Sequence, residues 1–222
     1  MSHKKLSTIH VINPNSSCSV TESLAKEISL PAMNLNVTIE CSQIDEAPAA
    51  IESSADVAIA HKLVTERVTN SDADAFVIAC FCDPGVERLR NQGHKNVFGI
   101  AESAMHLAAN MGGKFGMISI LDVSVERHIE QVERAGLSSM LAGDLALNLG
   151  VLELEDINLA RPRIEKISRE LVENRGAKSL ILGCAGMGIH RAWLQDLLDV
   201  PVIDPCWAGV AMATASLGIL KT

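Results

Sequence analysis

Two segments of the 222-residue chain carry a cysteine from an apolar run into a turn. In Val77-Ile78-Ala79-Cys80-Phe81-Cys82-Asp83-Pro84-Gly85 the run ends on Cys80, and Asp83 with Pro84 reads as the cap and first residue of a following helix. The pattern returns in Leu180-Ile181-Leu182-Gly183-Cys184-Ala185-Gly186-Met187-Gly188, whose glycines let a ligand approach the backbone closely. A thiol beside the free N–H groups of a helix start can be held as a thiolate, although the charge of Asp83 opposes this at Cys80. One free cysteine is most often a small buried hydrophobe. A matched pair in the same strand-to-turn setting points instead to acid/base chemistry. In a third segment, Ile12-Asn13-Pro14-Asn15-Ser16-Ser17, amide and hydroxyl side chains could cradle a carboxylate, imide or urea oxygen. The plainer reading of that segment is a turn that caps a helix.

These segments need a scaffold that presents strand ends to a common cleft. Short apolar runs, each followed by a turn signal and a helical pattern, predict strands at 8–12, 35–41, 75–80, 96–100, 115–121, 178–183 and 201–203. Helices are predicted at 20–29, 51–70, 84–92, 102–111, 123–135, 155–175, 188–198 and 206–219, which is the alternation of an α/β fold with parallel sheets. Glycines and polar residues blur 138–153, where an eighth strand is expected near 145–151.

The chain also reads as two similar halves. Ile9-His10-Val11-Ile12-Asn13 has a counterpart in Phe115-Gly116-Met117-Ile118-Ser119, and Ile78-Ala79-Cys80 has one in Leu182-Gly183-Cys184, at nearly the same offset. We therefore expect two similar lobes related by a pseudo-two-fold axis, with the site between them. One lobe would comprise 1–100 with the returning helix of 206–222, and the other 101–205. Both cysteines would then lie at the carboxyl ends of equivalent strands, where open α/β sheets bind ligands.

Composition narrows the partners. At 48% hydrophobic the chain can bury a real core. Nineteen basic residues against 27 acidic ones give a net charge of −8 without a cationic cluster, which argues against nucleic acid and anionic membranes. No stretch approaches the ~20 apolar residues of a membrane span. Met1-Ser2-His3-Lys4-Lys5 lacks the apolar run of a secretory leader, so a cytoplasmic protein with six reduced thiols is expected. A zinc site built from Cys80, Cys82, Cys184 and His190 is the weaker alternative, because Cys-x-Cys is not the usual thiolate spacing.

Asn13-Pro14-Asn15-Ser16-Ser17, Ala79-Cys80-Phe81-Cys82-Asp83-Pro84-Gly85, Gly99-Ile100-Ala101-Glu102 and Gly183-Cys184-Ala185-Gly186-Met187, in this order, resemble the hydantoin and allantoin racemase branch of the aspartate/glutamate racemase superfamily. The resemblance runs from Ile9 to about Ala213. It implies racemisation without cofactor or metal, with Cys80 and Cys184 as a two-base pair. Asn13, Asn15 and Ser17, with Phe81, Cys82 and Asp83 after the first cysteine, Ala185 and Gly186 after the second, and Ser119 as counterpart of Asn13, would hold a small-molecule substrate. Cys82 departs from the pattern, which commonly has Gly there. Phe81 and Cys82 also replace the Asn-Thr that follows the first cysteine in the amino-acid racemases, so a hydantoin-like ring is the expected substrate. The alternatives are an aspartate/glutamate racemase, a related cysteine-dependent isomerase, or a non-catalytic small-ligand sensor. A homo-oligomer is expected.

Overall fold

In the computed structural model, residues 6–32 and 35–220 are described. Met1 to Lys5, which carried the expectation about a leader, lie outside the described residues. Strands and helices alternate throughout. The first half runs β1 (Ser7–Asn13), α1 (Cys18–Ala32), β2 (Val37–Gln43), α2 (Ser54–Thr69), β3 (Ala75–Ile78), α3 (Val86–Asn91), β4 (Val97–Gly99) and α4 (Ile100–Met111). The second half repeats it with β5 (Phe115–Ser119), α5 (Asp122–Arg134), β6 (Leu141–Ala146), α6 (Ile157–Arg169), β7 (Ser179–Leu182), α7 (Arg191–Leu198), β8 (Val202–Ile203) and α8 (Pro205–Leu220). All pairings are parallel, and the two four-stranded sheets have the same order, β2-β1-β3-β4 and β6-β5-β7-β8.

The sequence dictates which strands are central. β3, β5 and β7 are unbroken buried runs, as strands covered on both faces must be. β2 and β6 lie at sheet edges and are largely half-buried. Their weaker patterns explain why the eighth strand, expected near 145–151, pairs instead over Leu141–Ala146. Leu147 and Leu149 are buried past the end of β6 and still donate to the Ser119 and Ile120 carbonyls, while Asn148 between them takes a left-handed φ of 53°. The helix expected over 155–175 is likewise divided, its last turn widening into a π-helix at Glu170–Asn174.

One apolar core spans both sheets, joining Ile9, Val11 and Val77 of the first to Phe115, Met117 and Ile181 of the second. Between them α4 and α8 pack on each other and exchange sides. The helix that follows β4 also lies against β5 and β7, and the helix that follows β8 lies against β1, β3 and β4. This exchange ties the sheets together and brings the ends of β1, β3, β5 and β7 to one cleft. Among the described residues no helix is long and apolar enough to cross a membrane.

Candidate active site

The cleft holds about 520 Å³ of empty space, part of it the open mouth, around a water-accessible interior of about 40 Å³. That interior suits a small molecule. Cys80, at the turn after β3, and Cys184, at the turn after β7, both line it, with Phe81, Cys82, Ala185 and Gly186 from the same two turns and Asn13 and Asn15 from the turn after β1. Ile51, Ile120 and Val151 supply aliphatic walls. Gly183 is required where β7 ends, because a Cβ there would come within 2.5 Å of the Ile118 carbonyl oxygen.

The two candidate bases sit in unlike surroundings. The Cys82 sulfur lies 3.3 Å from the Cys80 sulfur. The hydrogen bond between the two thiols holds Cys80 below its ordinary range. The Cys82 backbone N–H and the Arg127 guanidinium help, against burial and the charge of Asp83. The Cys82 thiol itself is pushed well up by its hydrogen bond with Cys80 and by burial. Cys184 is pushed up to about 12, by burial above all, despite a hydrogen bond from the Gly186 backbone.

Several expected substrate contacts have structural duties instead. The Asn13 side-chain amide donates to Asn15 Oδ1 at 2.8 Å and to Thr21 Oγ1 at 3.0 Å, and Asn15 Oδ1 also accepts from the Ser17 backbone at 2.9 Å. Asn13 therefore lines the cavity while its amide braces the loop. Ser17 is not among the lining residues: its Oγ accepts from the Val20 N–H and caps α1, the plainer of the two readings of that segment. Asp83 is not the cap of α3. It takes a left-handed φ of 47°, α3 begins after Gly85, and its carboxylate accepts from the N–H groups of Ala101 and Glu102, both at 2.9 Å. It thus caps α4 from the neighbouring turn, so closely that a Cβ on Gly99 would strike the carboxyl group. Burial pushes Asp83 up to about 7, with Glu102 adding to the effect. Glu102 in turn accepts from the Gly99 N–H and pairs with Arg90. Trp207, in the first turn of α8, does not line the cavity.

Ser119 lies behind the wall rather than on it. It is fully buried, 2.6 Å from Asp144 Oδ1 and 2.7 Å from His128 Nδ1, and His128 Nδ1 is also 3.0 Å from Asp144 Oδ2. A carboxylate only accepts, so Nδ1 carries the proton that faces it. The fixed imidazole meets Phe81 edge-on at 4.8 Å, and both rings line the cavity. Ser124 and Arg127 of α5 complete this wall. Arg127 Nη2 donates to the Glu52 carbonyl at 3.1 Å, whereas its Nε and Nη1 are buried without a partner. Sequence reasoning did not single out Ser124, Arg127, His128 or Asp144. The available signal was the polar stripe Ser124, Arg127, His128 and Gln131 at helical spacing on a helix that had to bury one face.

His190, the imidazole of the zinc alternative, is buried against the Leu154 carbonyl at 2.9 Å and does not line the cleft. Among the described residues no group of three His, Cys, Asp or Glu side chains is placed to hold a metal ion.

Comparison with known proteins agrees with this architecture. The family description Asp/Glu/Hydantoin racemase matches residues 9–213. A hydantoin racemase from Paenarthrobacter aurescens is 37% identical over 217 residues, covering 95% of this chain and 91% of the relative. The structure of an allantoin racemase from Klebsiella pneumoniae superposes with a TM-score of 0.90 at 31% identity, covering 96% of this chain and 88% of the other. That of an allantoin racemase from Pseudomonas fluorescens gives 0.89 at 27% identity, covering 96% and 92%. With its paired parallel sheets and two cysteine turns on one cleft, the chain is a racemase that belongs to the Asp/Glu/Hydantoin racemase family, in the branch of the hydantoin and allantoin racemases.

Proposed function

We propose that the protein racemises hydantoin-type substrates, allantoin or 5-substituted hydantoins, by proton transfer between Cys80 and Cys184 without a cofactor. The observation that carries this reading is that equivalent turns of two sheets with the same strand order bring the two thiols to one narrow cavity. Inversion at carbon by direct proton transfer needs a base on each face, since a group that removes and returns the proton on one side restores the starting configuration. One sulfur acts as thiolate and the other as thiol, and they exchange roles in the reverse direction.

The C5 proton of a hydantoin is acidified by the adjacent carbonyl, and the carbanion is an enolate with its charge largely on oxygen. This lets side chains and backbone N–H groups do the work of an electron sink. Arg127, with two buried N–H-bearing nitrogens free of protein partners, and the Asn15 amide supply donors for substrate oxygens. One well-aimed donor is worth about 3 kcal/mol to such a transition state. The aliphatic walls of Ile51, Ile120 and Val151 suit a small or apolar C5 substituent. On the packing of α4 and α8 we also propose lobes of 1–100 with 206–222 and of 101–205.

Polarimetry of enantiopure allantoin and 5-substituted hydantoins tests the substrate class. Loss of optical rotation with wild type, and none with Cys80→Ser or Cys184→Ser, is expected. Turnover of aspartate or glutamate but of no hydantoin would overturn the substrate assignment and leave the two-thiol chemistry standing.

A further inference from the structure

Cys82 has no place in a two-base mechanism, yet it lines the same cavity as Cys80. The two cysteine turns are equivalent in position and unequal in chemistry two residues on. Cys80 is followed by Cys82, whereas Cys184 is followed by Gly186. In each turn that residue's backbone N–H reaches the preceding sulfur. Only Cys82 adds a side-chain donor.

We propose that Cys82 is a positioning residue for Cys80: its thiol, 3.3 Å from the Cys80 sulfur, donates the hydrogen bond that makes Cys80 the resting base and leaves Cys184 the resting acid. The inference rests on the two-cysteine reading above and gives that pair a starting state. A thiolate is stabilised by each donor that points at it, and a thiol that keeps its own proton is such a donor. The turn sets the geometry, since the Asp83 N–H bonds the Cys80 carbonyl at 2.9 Å and folds residue 82 back beside residue 80.

The other ionisable groups around the pair favour the same assignment on balance. Arg127 of α5 favours a Cys80 thiolate, and Asp83 on the shared turn opposes it. Glu52 and Cys80 both favour the protonated form of Cys184. His128 of α5 lines the cavity, and Cys206, at the start of α8, is held protonated by burial and by nearby acidic groups. The enantiomer whose C5 hydrogen faces Cys80 is therefore the one that meets an enzyme already in the required protonation state.

Sub-stoichiometric iodoacetamide, with each cysteine read by peptide mass spectrometry across pH, tests this whether or not a substrate is known. In the wild type Cys80 should be captured at lower pH than Cys82 and Cys184. Cys82→Ala should move the Cys80 midpoint up by about one pH unit, the worth of one hydrogen bond to a charged sulfur, and the acidic limb of kcat/KM should move with it. Cys82→Ser, which restores a donor, should recover most of the shift, as a purely space-filling role would not. Capture of Cys82 before Cys80 in the wild type would overturn the proposal without any variant, and so would an unmoved midpoint in Cys82→Ala. If the protein turns over no hydantoin but the midpoints behave as stated, the substrate reading fails and the role of Cys82 survives.

Discussion

Asp144 never touches the cavity, yet its removal should be felt in both stability and turnover. Its carboxylate receives the Ser119 hydroxyl at 2.6 Å and His128 Nδ1 at 3.0 Å, all three groups being buried. Hydrogen bonds to a buried charged acceptor contribute about 1.5 kcal/mol each at the low end. Asp144→Ala deletes both, but Ser119 and His128 remain 2.7 Å apart and can bond to each other, so neither is orphaned. A loss of about 3 kcal/mol of unfolding free energy follows. Asp144→Asn keeps an acceptor for Ser119 and turns an amide toward Nδ1, which should cost about half as much. In either variant the imidazole loses its fixed orientation, the edge contact with Phe81 loosens, and racemisation should slow without abolition. Urea unfolding followed by the fluorescence of Trp193 and Trp207, alongside polarimetric rates, measures both effects. An unfolding free energy for Asp144→Ala within about 0.5 kcal/mol of wild type, the range of inert surface changes, would refute the reasoning that this network holds the wall.

Three further outcomes are expected. Because burial raises Asp83 from the ordinary 3.8 to about 7, its contribution to stability is fully present below pH 4 and is lost as pH rises through 7. Unfolding of Asp83→Asn should therefore depend less on pH between 4 and 7, although burial also raises Asp204 and will leave part of the slope. Glu52 joins the halves, its Oε1 accepting from the Val151 N–H at 2.9 Å and its carbonyl from Arg127; Glu52→Ala should raise KM several-fold with little loss of secondary structure by circular dichroism. Gly183→Ala would press a Cβ against the Ile118 backbone and should destabilise by about 1–3 kcal/mol while displacing Cys184, read as a lower denaturation midpoint together with a lower kcat.

The strands on which the site depends were legible because β1, β3, β5 and β7 are short apolar runs that each end at a polar or thiol-bearing turn. Their repetition in two halves made the pairing of Cys80 with Cys184 a geometric expectation. β6 was misplaced because an edge strand does not need an unbroken apolar run, and buried Leu147 and Leu149 mimic one. At Asp83 a local capping rule lost to a tertiary one: the carboxylate caps α4, brought alongside by the pairing of β3 with β4. Asn13 has the donors a substrate would need, but the loop consumes them, and the Ser17 oxygen is taken up as an acceptor at the start of α1; sequence cannot show where a bond is already spent. Conversely Arg127 and His128 lie on an amphipathic helix whose polar residues normally face solvent. Only the packing of α5 against β5 and β6 turns part of that polar face toward the cleft.

Deuterium exchange in D2O at C5 of each separate enantiomer, with wild type, Cys80→Ser and Cys184→Ser, tests most directly whether two sulfurs serve one carbon. The account predicts that wild type labels and inverts both enantiomers. Neither single variant should invert, and each should label only the enantiomer whose hydrogen faces the remaining thiol. Undiminished racemisation by either variant, or labelling of both enantiomers by one sulfur alone, would contradict it.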